Sequence, residues 1–214
     1  MTFSVFGKKP QDSIYLADLP YAVRWNCKDG GLFVGGFDDD SRKTKTKESI
    51  DISIIKVSKF FGSLGSTVNE LWFQLFYVPG PSVTALPKNQ VCVSYIKKQS
   101  INNLMATVSE AMESGEPATG IFTGSFLKQS GNNGVYYTIG FSWRERCGEA
   151  ELKQLEMIDA FMSSNPALID LSGTRDMVCI DGLSGLEIAQ IVESARMKAA
   201  LEGSSTSPVL PPAR

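Results

Sequence analysis

From Tyr21 the chain alternates, with Tyr21, Val23, Trp25 and Cys27 on one side and Ala22, Arg24, Asn26 and Lys28 on the other. A period of two predicts a half-buried strand. Asp29-Gly30-Gly31 bends or reverses it, and Leu32-Phe33-Val34 resumes the pattern. Ile50, Ile52 and Ile54 share one face, whereas Ile55 and Val57 take the other. A switch of face within one strand predicts a bulge, the device by which small sheets curl. The run from Glu70 to Val78 is apolar on both faces and reads as a buried strand, stopped by Pro79-Gly80-Pro81. Gln90 to Ile96 supplies another strand.

The period then changes. Ile101, Leu104, Met105, Val108, Ala111 and Met112 form one helical stripe, with Ser100 as the expected N-cap and Gly115 and Pro117 after its end. Gly120–Gln129 and Val135–Trp143 return to alternation around Asn132-Asn133-Gly134, a strong hairpin signal. Val135, Tyr137, Ile139, Phe141 and Trp143 point one way; Tyr136, Thr138, Ser142 and Arg144 point the other. A second helix opens at Glu149 and Glu151 and carries Leu152, Leu155, Ile158, Phe161 and Met162. Ser184 and Glu187 have capping-box spacing, which predicts a third helix to about Leu201.

These segments predict four regions. Residues 1–13 are a flexible lead-in, 14–147 a β-barrel domain, 148–202 a helical extension and 203–214 a disordered tail. The 214 residues include no histidine and only four scattered cysteines. That composition argues against histidine-based nucleophile systems and mixed zinc sites. Asp38-Asp39-Asp40 would alternate faces in an extended segment, so three carboxylates cannot converge on magnesium without a special loop. Gly62-Ser63-Leu64-Gly65-Ser66 lacks the Gly-Lys-Ser/Thr ending of a phosphate-cradling loop. No reaction, metal or cofactor is expected. No apolar window suits a membrane span, and the N-terminus lacks a secretion-signal pattern, so a cytoplasmic protein is expected.

The order of elements resembles the oligonucleotide/oligosaccharide-binding (OB) fold over Tyr21 to Arg146. That family has a coiled first strand, two further strands, a helix between strands three and four, and a terminal hairpin. This chain departs from it by one extra strand-like stretch before the helix. The resemblance implies a mainly β, barrel-like fold that grips a ligand without transforming it. By that resemblance the ligand is single-stranded nucleic acid, DNA first, in replication, recombination or repair. Charge agrees in sign: residues 1–147 hold 16 Lys and Arg against 13 Asp and Glu, while 148–214 hold 5 against 10.

Single strands are held by aromatic platforms under bases and cations along phosphates. The candidate platforms are Trp25, Phe33, Trp72, Tyr95 and Tyr136. The candidate phosphate contacts are Arg24, Lys28, Lys43, Lys45, Lys47, Lys97, Lys98, Lys128, Arg144 and Arg146. Tyr136 and Arg144, on the polar face of one strand, are the most specific pair. Strands also favour aromatics for packing alone, so Trp72 and Trp143 compete for the core. Likewise the Lys43–Lys47 run would serve equally as a solvated loop. The rival reading is an assembly or adaptor subunit, which oligomerises or binds a protein partner through the C-terminal helices or tail.

Overall fold

A computed structural model describes residues 13–17, 20–34, 46–132, 134–165 and 177–203. The expectations for the lead-in and tail, for Asp38–Asp40, Lys43 and Lys45, and for Asn133 lie wholly or largely outside the described residues.

Over the described residues the chain is mainly β, with one curled, half-barrel sheet and three α-helices. In chain order its elements are β1 (Tyr21–Asn26), β2 (Gly31–Val34), β3 (Ile50–Leu64), β4 (Thr67–Pro79), β5 (Cys92–Lys97) and α1 (Gln99–Ser114). They are followed by β6 (Ile121–Gly131), β7 (Gly134–Arg144), α2 (Glu149–Ser164), β8 (Met177–Cys179) and α3 (Gly185–Gly203). The sheet order is β2-β1-β5-β4-β3-β6-β7, with β8 added to β3. Among the described residues these strands pair antiparallel except β1 with β5, which run parallel through Tyr21–Cys92 and Ala22–Val93. The two ends of the sheet approach each other where the Tyr137 amide donates to the Cys27 carbonyl at 2.7 Å.

The predicted face switch is present as a register shift between Ile54 and Lys56 in the β3–β4 ladder. The main core fills the concave side with Val23, Trp25, Leu32, Phe73, Leu75, Tyr77, Phe122 and Ile139. Burying side chains such as these contributes about 1.5–3 kcal/mol each. Phe76, Val78, Val91 and Val93 face the other way and pack against Ile158 and Phe161 of α2. A third cluster joins Phe60, Trp72 and Met177. Glycine makes room for two of the large rings: a Cβ at Gly124 would overlap Trp25, and one at Gly120 would overlap Trp143.

Helix α1 departs from its expected stripe. Ile101, Leu104 and Ala111 are buried, but Met112 is 68% exposed, and Ser100 and Thr107 are buried in place of the methionines. The reason is the unpaired edge of β7. Ser100 Oγ accepts from the Ile139 amide at 3.0 Å, Asn103 Nδ2 donates to the Ile139 carbonyl at 2.7 Å, and Thr107 Oγ1 donates to the Phe141 carbonyl at 2.9 Å. Ser100 is therefore not the N-cap; Lys98 holds that position without a side-chain capping bond. Helix α3 starts as predicted, with Ser184 Oγ and Glu187 exchanging the capping-box bonds.

Candidate nucleic-acid interface

Strands β1 and β5 pair only over their first residues, then splay. A cleft of about 620 Å³ opens between them, walled on its third side by the β3–β4 turn, Leu64 to Thr67. Six of the fifteen candidate residues line it: Arg24, Trp25, Lys28, Trp72, Tyr95 and Lys97. Side-chain alternation explains the grouping. On adjacent strands Trp72 stands opposite Lys97 and Gln74 opposite Tyr95, so all four share one face. Arg24, across from Phe33 in the β1–β2 ladder, is exposed on β1 at the same opening.

The lining groups differ in availability. Lys97 Nζ lies 5.1 Å from the Trp72 ring centroid and donates to Thr67 Oγ1 at 2.5 Å. Burial, then the neighbouring Lys98 charge, lowers its pKa, and Glu70 opposes that shift. Trp72 is only 6% exposed, and its indole N–H donates to the Gly62 carbonyl at 3.2 Å. Tyr95 is half-buried, with its hydroxyl accepting from Gln74 Nε2 at 2.6 Å; burial raises its pKa. Trp25 belongs to the core, tilted against Phe126 and Phe141 at 5.4 and 6.3 Å between ring centroids. It forms the floor of the cleft rather than a platform. Arg24 and Lys28 are exposed and have no ion-pair partner among the described residues.

Lys98 stands beside the cleft and pairs with Glu70 at 3.3 Å. Lys47 is exposed next to Thr46, whose carbonyl accepts from the Leu32 amide. Lys128 is exposed near the far end of the β6–β7 ribbon, and Tyr136 lies one pair beyond it, 46% exposed, its ring folded over Gly131. Lys43 and Lys45 are outside the described residues.

Arg144 and Arg146 serve a different purpose. Tyr136 and Arg144 do share a face, but eight residues of extended strand separate them by about 27 Å. Arg144 is also engaged, bonding both oxygens of Glu151 at 2.9 and 2.8 Å and Asp51 at 2.8 Å. The Arg144 bonds hold the Glu151 carboxyl down at about 2. Arg146 turns inward, donating to the carbonyls of Thr119, Gly120 and Glu151 and to the side chains of Ser53 and Gln154. Together the two arginines fasten the start of α2 to the sheet.

The chain matches no family model, no curated protein and no solved structure. The site therefore rests on geometry. Sequence reasoning missed Cys27, Thr67, Glu70 and Ser100, which line or border the cleft. Burial raises the pKa of the Cys27 thiol, which keeps it protonated and a weak nucleophile. Among the described residues no group of three or more metal-ligating side chains comes together, and no helix is long and apolar enough to cross a membrane.

Proposed function

We propose that this protein binds single-stranded nucleic acid, DNA first, at the β1–β5 cleft, without catalysing a reaction on it. The observation that carries the reading is the convergence of Arg24, Lys28 and Lys97 on one opening beside Tyr95 and Trp72. Cations suit the phosphates, and the ring of Tyr95 suits a base, each such stack contributing about 1–3 kcal/mol.

Strand pairing supports the OB reading. If β3, β4, β5, β6 and β7 are taken as its five strands, β3 pairs with both β4 and β6, β4 with β5, and β6 with β7. Helix α1 falls between the third and fourth. The extra stretch is then the β1–β2 hairpin, inserted beside β5. In that fold ligands lie on the face of strands two and three and on the loops joining strands one and two and strands four and five. Here the face and the first loop are β4, β5 and the Leu64–Thr67 turn, which border the cleft; the described residues of the second loop, the β6–β7 turn, do not line it. A role in coating exposed strands during replication, recombination or repair follows from this reading.

The test is a titration with oligo-dT and oligo-dA, followed by tryptophan fluorescence at several salt concentrations. The logarithm of affinity should fall linearly with that of salt, by about 0.7 per phosphate neutralised. A flat titration at low salt would discard the reading. One observation favours the assembly alternative: α3 presents Leu186, 71% exposed, and Met197 to solvent. Light scattering of the free protein tests it.

A further inference from the structure

We infer that the β3–β4 hairpin tip is a latch, held on the cleft lysines in the free protein and released when a single strand takes those lysines. The inference rests on the nucleic-acid reading above and adds a regulated state of the same site. Two contacts close the latch. Lys97 Nζ donates to Thr67 Oγ1 at 2.5 Å, and Lys98 Nζ pairs with Glu70 at 3.3 Å. Both acceptors sit on the tip, and both donors sit at the end of β5, where phosphates would arrive. Each bond must be exchanged before either lysine can serve a phosphate fully. With Lys97 in place, its ammonium also lies over the ring of Trp72, which is itself buried against Phe60 and Met177.

The backbone gives independent support. Lys98 has φ 51°, and Asn69, next to Glu70, has φ 52°. Residues with side chains rarely adopt this region, and such settings concentrate at clamps and switches. Lys98 is thus presented by backbone that a lysine rarely adopts, whereas asparagine tolerates the setting of Asn69. The tip also has the means to move: the ladder loses register between Gly62 and Leu64, and Gly65 has φ 59°. The pair is solvent-facing, with Lys98 66% exposed, so the latch is weak by construction and a polyanion can displace it.

The experiment uses the full chain and an oligo-dT of about 16 nucleotides, within the range one such fold covers. Thr67→Val and Glu70→Gln should each tighten binding about two- to fivefold, the range that exposed or half-exposed polar contacts command. Thr67→Val changes no charge, so its gain cannot come from long-range attraction. In hydrogen exchange, saturation with oligo-dT should slow the β1 and β5 amides while the amides of residues 65–70 exchange faster. Slower exchange at 65–70, or unchanged affinity in both variants while the native chain binds, overturns the latch and leaves the nucleic-acid reading standing. No binding by the native chain at low salt removes both.

Discussion

Two groups of cations sit on this sheet and do opposite things. Arg144 and Arg146, at the end of β7, spend their donors on Glu151, Asp51, Ser53, Gln154 and four carbonyls. Arg24 and Lys28, on and just after β1, are exposed and have no ion-pair partner among the described residues. All four are basic residues at strand positions or ends, and the sequence pattern treats them alike. What separates them is what folding brings near: α2 delivers Glu151 and Gln154, and β3 delivers Asp51 and Ser53, to the first group, while the splay of β1 from β5 leaves the second group beside an open cleft.

Arg146→Met gives the sharpest break in this comparison. It strands several buried acceptors, so unfolding stability should drop by about 2–4 kcal/mol, read as the urea midpoint. Oligonucleotide affinity of the folded fraction should stay within about twofold, less than one phosphate contact is worth. Equal losses in both would merge the two groups. Glu151→Gln should cost about 1–2 kcal/mol near neutral pH, because the Arg144 bonds are charge-assisted but partly open to water.

That difference has a definite pH window. The Glu151 carboxyl is held at about 2, below its ordinary 4.5. A depressed carboxylate stabilises the fold above the unfolded value and loses that contribution as pH falls through the folded one. The stabilities of the native chain and Glu151→Gln should therefore converge between pH 4.5 and pH 2, as followed by circular dichroism. Curves that stay parallel to pH 2 would take Glu151 out of the clamp.

Lys98→Gly tests the border between the groups. Glycine relieves the φ 51° backbone, a strain of about 1–3 kcal/mol, and gives up only a weak surface pair. A net gain of about 1 kcal/mol is expected with weaker oligonucleotide binding, the pattern of a residue kept for its charge rather than its fit. The smallest effects belong to Arg24→Ala and Lys28→Ala. Each should leave the melting temperature within about 2 °C, as exposed substitutions do. Each should also lower the salt dependence of binding by about 0.7 in the logarithmic slope. A fall in melting temperature with an unchanged slope would place them with the arginines of β7.

Local patterns in the sequence carried the elements well. Within β7 the alternation places Ile139, Phe141 and Trp143 against the core as expected, but Val135 is exposed near the ribbon's tip and Thr138 is buried on the other face; the isoleucine face switch marks the β3 bulge. Ser184 and Glu187 mark the start of α3. Parts of the site depend on pairings between distant segments, and no local pattern encodes those. The β1–β5 pair joins residues about seventy positions apart and runs parallel only briefly before splaying. Arg144 illustrates the same limit: period two and the eight-residue spacing give its common face with Tyr136 and their separation, but not the acids waiting beside Arg144. The α1 stripe was misread for a related reason. Apolar periodicity put Met105 and Met112 inward, whereas the edge of β7 selects hydroxyl and amide groups.

That polar seam between α1 and β7 bears on crowding. An unpaired strand margin is a template on which a neighbouring chain can add its own strand. Here Ser100, Asn103 and Thr107 occupy the margin's amide and carbonyls from within the same chain. Molecules packed side by side along a polymer would meet a helix at that margin, so high local density need not turn into sheet-to-sheet aggregation.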